Sequence, residues 1–244
     1  MDDWKYQPAR DGHLPAEERL KSLQRESGLL AFLAQAAWRL TARSYLRTYH
    51  RLTVVGGERV PREAPFVVIA NHSSHLDALT LAAALPWHLR QRAFPIAAGD
   101  VFFQTKTASF FSALALNALP MWRKRCGTHA LDELRERLVG EPAIYILFPE
   151  GTRTRDGHMG AFKPGLGRII AGTGVPVVPC YLDGAFRALP PGSRWPKPVR
   201  LTLHVGEPII FTDAPDDRRG WTEITERLQA TVTAAAAGAF AADQ

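Results

Sequence analysis

Phe66-Val67-Val68-Ile69-Ala70-Asn71-His72-Ser73-Ser74-His75-Leu76-Asp77 is the stretch whose reading decides the fold. A short apolar run ends abruptly in a polar cluster, and the apolar segment Ala78–Leu85 follows. A run of this length and composition reads as a strand buried on both faces, the kind found in largely parallel sheets covered by helices. Functional groups in α/β proteins gather at such strand-to-helix turns. His72 and Asp77 are five residues apart, and on an ideal helix they would point about 140° apart. They meet only if the chain bends between them. A turn running into a helix, with Asp77 in the first helical turn, supplies that bend. The carboxylate would then accept the proton of one His72 ring nitrogen, fix the tautomer and stabilise the imidazolium. Each residue also has an ordinary reading. Asn71, Ser73, Ser74 and Asp77 are all N-capping types, and His75 is a rival base beside the same carboxylate. The surroundings of Ser73 and Ser74 are not a Gly-x-Ser-x-Gly elbow, which argues against a serine hydrolase.

Outward from this stretch, short β-rich runs alternate with helical segments. Strands are predicted at Arg51–Val55, Phe66–Ala70, Ala93–Ala97, Ala118–Trp122, Ala143–Phe148, Val175–Tyr181 and Arg200–Val205, from their Val, Ile, Leu, Phe and Tyr content and the nearby Gly, Pro or Asn. Helices are predicted at Ala78–Leu85, Val101–Leu114, Thr128–Val139, Leu166–Gly172 and Trp221–Ala237. The alternation implies an α/β fold with a mixed, mostly buried sheet flanked by helices. Residues 1–50 read as a polar arm followed by an amphipathic helical segment, and residues 51–244 as the α/β domain. Within the segment, Leu29, Phe32, Leu33, Ala36 and Leu40 form one apolar stripe, while Arg39, Arg43 and Arg47 line another face. A basic amphipathic helix of this type can lie in a lipid interface, and an ordinary surface helix has the same pattern.

The chain has 244 residues, 46% of them hydrophobic and 22% charged, enough apolar material for a real core. Its net charge of +6 suits anionic partners without choosing among nucleic acid, acidic lipid and a phosphorylated substrate. No recognised nucleic-acid motif accompanies the charge. Cys126 and Cys180 lack metal-ligand spacing, and a reducing compartment fits them best. The N-terminus reads as a polar arm rather than a signal peptide. No run reaches the roughly 18 apolar residues of a spanning helix. Metal-ligand spacing, a Walker loop and a Gly-x-Gly-x-x-Gly turn are all missing, so neither a metal nor a bound cofactor is expected.

The run Asn71-His72-Ser73-Ser74-His75-Leu76-Asp77 resembles the first motif, Asn-His-x-Ser-x-x-Asp, of the PlsC-type 1-acyl-glycerol-3-phosphate acyltransferases, the lysophospholipid acyltransferase family. Phe148-Pro149-Glu150-Gly151-Thr152-Arg153-Thr154 resembles the third motif, with only its last residue changed. Val175-Pro176-Val177-Val178-Pro179 resembles the fourth, and Phe162-Lys163-Pro164-Gly165 is also similar to the family. The likeness runs over residues 50–212. In the second motif Asn117 stands where the family has glycine, while Arg123 is kept. At Ala98-Gly99-Asp100-Val101-Phe102-Phe103 the lysine of many members is absent.

The resemblance implies that a fatty acyl group passes from acyl-CoA or acyl-carrier protein to the free hydroxyl of a lysophospholipid, foremost 1-acyl-glycerol-3-phosphate. His72 would be the base and Asp77 its orienting carboxylate, with Asn71, Ser74 and Pro179 supporting the site. Arg123, Glu150, Gly151, Thr152, Arg153 and Lys163 would contact substrate, the arginines holding a phosphate and Glu150 binding an acceptor hydroxyl or bracing an arginine. Arg90, Arg92, Lys124 and Arg125 would dock the donor if exposed. The departures near Asn117 and Gly99 leave room for another acceptor, such as a lyso-ornithine lipid. A non-catalytic lipid-binding module of the same fold is the remaining alternative. The expected location is the cytoplasmic face of a membrane, attached peripherally to an anionic surface.

Overall fold

A computed structural model describes residues 29–98, 119–121 and 128–242. The elements are α1 (Leu29–Thr48), β1 (Thr53–Val55), β2 (Phe66–Ala70), α2 (Leu76–Ala84), β3 (Ala93–Ala98), β4 (Leu119–Met121), α3 (Thr128–Gly140), β5 (Ile144–Leu147), α4 (Gly165–Ile170), β6 (Val177–Asp183), α5 (Ala185–Ala188), β7 (Thr202–Val205) and α6 (Arg218–Ala242). The strands form one seven-stranded sheet in the order β1-β7-β6-β2-β5-β3-β4. Strands β2 to β6 run in one direction. β7 pairs antiparallel with β6, and β1 lies parallel to β7. The mixed, buried sheet expected from the sequence is therefore present.

β2 occupies the middle of this order, with β5 and β6 as its neighbours, and all its residues are buried. Alternation along the strand divides its side chains between two cores. Val67 and Ile69 join Tyr145, Leu147, Val177 and the inner faces of α3, α4 and α6, including Leu134, Leu166 and Leu228. Phe66, Val68 and Ala70 join Ile144, Ile146, Val178 and Cys180, with Leu46 of α1 and Leu81 of α2. A strand with a core on each side has no polar face to read, which is why its sequence is an unbroken apolar run.

The predicted elements are found with small shifts at their ends. α2 starts two residues before the predicted position and so takes in Asp77. The predicted helix Val101–Leu114 lies outside the described residues. A 3-10 turn at Trp87–Arg92 and the four-residue α5 were not predicted.

α1 sits on the domain differently from the simplest reading of its stripes. Ala42 and Leu46 are buried, and Arg43 donates to the Ala83 carbonyl at the end of α2. Leu40, on the apolar stripe, is 59% exposed. The arginine-bearing side is thus partly turned inward and part of the apolar stripe is turned out.

One glycine marks where two helices of the first core approach. A methyl group on Gly167 of α4 would collide with the backbone of Trp221 in α6. The expected outcome for Gly167→Ala is a loss of about 1–3 kcal/mol from overpacking. In a thermal melt this lowers Tm by roughly 2–4 °C per kcal/mol for a chain of this size.

Candidate functional site

The carboxyl ends of β2 and β5 release the two turns that build the site. After Ala70 the chain leaves the sheet, and Asn71 closes the gap. Its Nδ2 donates to the Leu182 carbonyl at 3.1 Å and its Oδ1 accepts the Leu182 N–H at 2.8 Å. The side-chain amide thus completes the ladder with β6 while the main chain turns away. Ser74, fully buried, accepts from the Leu76 N–H and donates to the Leu189 carbonyl at 2.8 Å, tying the turn to the end of α5.

Asp77 lies in the first turn of α2 and reaches backward rather than capping its own helix. Its Oδ2 accepts from the His72 ring Nδ1 at 2.8 Å, from the Ser73 N–H at 2.6 Å and from the Ser74 N–H at 2.8 Å. The bend inferred from the five-residue spacing is therefore present. A carboxylate accepts, so Nδ1 carries the ring proton and the lone pair falls on Nε2. The Asp77 side chain is fully buried, whereas the His72 side chain keeps 18% of its surface exposed. Asp77 Oδ1 is buried with no hydrogen-bond partner among the described residues.

The second turn grips His72 from other sides. The ring of Phe148 stacks on the imidazole with centroids 4.2 Å apart and planes 17° from parallel. The His72 carbonyl accepts from the Thr154 N–H at 2.9 Å. Glu150 Oε1 accepts the His72 N–H at 2.6 Å and Oε2 accepts the Gly160 N–H at 2.7 Å. Glu150 is only 5% exposed, and both its oxygens face backbone donors rather than the hydroxyl or arginine expected from the sequence. Burial pushes its carboxyl above the ordinary value. The bonds from Gly160 and His72 and the His72 charge pull the other way, and the Asp77 charge adds to the rise.

Gly151 follows with φ of 72°, a left-handed conformation that suits glycine, and the Lys163 side chain crosses directly over its α-carbon. Lys163 is anchored through its N–H to the Pro149 carbonyl. Thr152 is exposed beside it. Arg153 Nη1 is buried with no hydrogen-bond partner among the described residues. The Arg153 charge also acts on His75, whose pKa is held down first by desolvation, then by Arg153 and His72, against the pull of Asp77.

Other expected residues fall elsewhere. Pro179 lies in the body of β6, opposite Ile69, with its ring against Gly206. Arg90 is 3% exposed and donates to the Leu85 carbonyl, so it is not part of an exposed docking surface. Arg123, together with Asn117, Lys124 and Arg125, lies outside the described residues. The Cys180 thiol is buried and pushed up to about 12, an inert group. No group of His, Cys, Asp and Glu among the described residues could hold a metal. The clamp by Glu150 and the Phe148 stack were not read from the sequence, although both residues stand in the third motif.

A histidine oriented by a carboxylate at the carboxyl end of a buried sheet, with a half-buried arginine close enough for its charge to act on His75, defines an α/β protein with a candidate base near a cationic group. The comparisons with known proteins narrow this class. Residues 51–183 match the family model described as Acyltransferase, and the chain belongs to that family. It is 34% identical over 147 residues to a chloroplastic 1-acyl-sn-glycerol-3-phosphate acyltransferase of Brassica napus, covering 60% of this chain and 41% of that protein. Against the human 1-acyl-sn-glycerol-3-phosphate acyltransferase alpha it is 33% identical over 135 residues, covering 54% and 46%. The chain thus spans less than half the length of either relative. The crystal structure of the 1-acyl-sn-glycerophosphate (LPA) acyltransferase PlsC from Thermotoga maritima matches with a TM-score of 0.57 and 25% identity, over 81% of this chain and 78% of that one.

The raised pKa of Glu150 sets the sign of a pH effect. The unfolded chain ionises this carboxyl near its ordinary value of 4.5, the folded chain only at higher pH. Its contribution to stability is therefore full below that value and declines as pH rises through the folded pKa. Denaturant unfolding of the wild type and Glu150→Gln across this window will show the wild type losing ground to the variant as pH increases.

Proposed function

We propose that this protein transfers a fatty acyl group from acyl-CoA or acyl-carrier protein to the free hydroxyl of a lysophospholipid, with 1-acyl-glycerol-3-phosphate as acceptor and phosphatidate as product. The observation that carries the proposal is the His72–Asp77 pair on the turn after β2, facing the turn after β5 that carries Arg153, whose Nη1 is buried with no hydrogen-bond partner among the described residues. The names of the relatives support the choice of acceptor.

In this reading His72 is the base. Its Nε2 takes the proton of the acceptor hydroxyl as that oxygen attacks the thioester carbonyl. The tetrahedral intermediate collapses with breakage of the C–S bond. The ester forms, and the thiolate leaves and recovers the proton from the imidazolium. Asp77 holds the tautomer and stabilises the charged ring during the step. Glu150 and Phe148 position His72 without touching substrate. Arg153, with Arg123 and Lys163, meets the acceptor phosphate, for which a guanidinium fork is the matching donor. Thr152 adds a hydrogen bond, and Gly151 leaves room for the Lys163 side chain to cross the turn toward the ligand. The Nη1 of Arg153 is a donor with no hydrogen-bond partner among the described residues, and a phosphate oxygen would supply one.

The lipid acceptor places the protein at a membrane, on its cytoplasmic face and peripherally attached. The exposure of Leu40 on α1 supports this. Among the described residues no helix is long and apolar enough to cross a membrane.

With purified protein, labelled acyl-CoA and a panel of lysolipids in detergent micelles, His72→Ala is expected to reduce transfer by about 10²–10⁴-fold. His75→Ala stays within a few-fold of wild type. Equal activity in all three proteins would remove His72 as base. Across the same panel, lysophosphatidate is expected among the best acceptors. A rank near the bottom would disprove the headgroup assignment while leaving the chemistry intact.

A further inference from the structure

The excursion between β6 and β7 has a charge and exposure pattern that the acyl-transfer site does not use. From Gly184 to Leu201 the chain contains Arg187, Arg194, Lys197 and Arg200 and no acidic residue. Arg187 is ion-paired with Asp183, and Arg194, Lys197 and Arg200 are exposed. Trp195 stands between the first two of these and is 81% exposed, the most open large hydrophobic side chain among the described residues. Its position is not that of a frayed loop. The Lys197 N–H donates to the Ala188 carbonyl at 2.8 Å, the Ser193 N–H to the Pro190 carbonyl at 3.0 Å, and the Tyr49 hydroxyl to the Pro196 carbonyl at 2.9 Å. The backbone fixes the loop and leaves the indole in solvent.

Topology sets which way the loop faces. β6 runs parallel to β2, so its carboxyl end lies on the edge of the sheet where β2 releases His72. β7 returns antiparallel to β6 from that same edge. Both roots of the loop are therefore on the His72 side, and Ser74 of the site turn is bonded to Leu189 at its start. β1 is parallel to β7, so the end of α1 arrives at this edge as well, bringing exposed Arg47 and Arg51. The His50 carbonyl accepts the Leu201 N–H at 3.0 Å and joins the two segments. Leu29 through Gly57 likewise contains no acidic residue.

We propose that this loop is a second membrane contact, distinct from the apolar stripe of α1. Trp195 enters the headgroup region of an anionic bilayer, and Arg194, Lys197 and Arg200 meet lipid phosphates. Indole rings favour this boundary because one end is apolar and the N–H is polar. Cations near such a surface each strengthen attachment by about a factor of five. The proposal rests on the reading that the acceptor is a membrane lipid. It sets the orientation, with the His72 edge of the sheet facing the bilayer from which the acceptor comes.

Co-sedimentation of the full-length protein with phosphatidylglycerol–phosphatidylcholine vesicles, and with phosphatidylcholine vesicles alone, tests it. Arg194→Glu with Lys197→Glu is expected to weaken partitioning onto the anionic vesicles by about 25-fold or more, at roughly fivefold per cation lost. Trp195→Ala weakens partitioning onto both vesicle types. Thermal melts and transfer to acceptor in detergent micelles stay at wild-type values, because none of these side chains belongs to the site. Partitioning of the variants within twofold of wild type overturns the proposal. So does unchanged vesicle binding with a raised KM for acyl-carrier protein, which would assign the loop to an acidic protein donor. A wild type inactive in micelles would instead count against the acyl-transfer reading, and the vesicle comparison would stand on its own.

Discussion

A single carboxylate oxygen organises the candidate site. Asp77 Oδ2 gathers two backbone N–H groups and the His72 ring in one buried point. The two backbone bonds convert a mobile strand-to-helix turn into a fixed loop, and the third locks the imidazole onto it. Charge-assisted bonds of this kind are shorter and stronger than neutral ones. The first turn of α2 adds the favourable field of a helix N-terminus, where a negative charge is at home. Once Asp77 is placed, the histidine tautomer follows from the chemistry of an acceptor.

The second turn supplies what the first lacks. Glu150 links the His72 N–H to the Gly160 N–H, so the turns after β2 and β5 are clamped by one side chain. These strands are neighbours in the sheet, which brings residues 72 and 150 together from distant parts of the chain. Phe148 then covers one face of the imidazole. His72 is restrained through its N–H, its carbonyl, ring Nδ1 and its ring face, and none of these contacts uses Nε2. Such over-determination holds a side chain to a narrow range of positions, which is what the proposed proton transfer would need.

The sequence conveyed the strands more completely than their contacts. A central strand buried on both faces leaves an apolar run with sharp polar ends, and Phe66–Ala70 was legible to the residue. The pairing of His72 with Asp77 was legible because a bend between them was the one way the spacing could work. α5, with only four residues, has too few positions to show a period. The facing of α1 was hidden for a different reason. Periodicity reveals stripes but not which of them meets the domain, and that depends on Leu46 finding the second core. The contacts of Glu150 were not legible because its partners are backbone groups, which any sequence carries at every position. Arg153 was legible as a cation in the third motif, while the buried position of its Nη1, without a hydrogen-bond partner among the described residues, is a property of the folded chain alone.

The side chain of Asn71 does the work of a peptide unit, and this separates two endpoints that usually coincide. The ladder of β2 with β6 continues to Leu182, but the polypeptide of β2 has already departed one step earlier. Only a primary amide of this length offers a donor and an acceptor at the required spacing. An aspartate would set oxygen against the Leu182 carbonyl, and a serine would fall short of one partner. The sheet thus ends in a borrowed rung, and the residue next to the histidine is constrained by the architecture of the sheet.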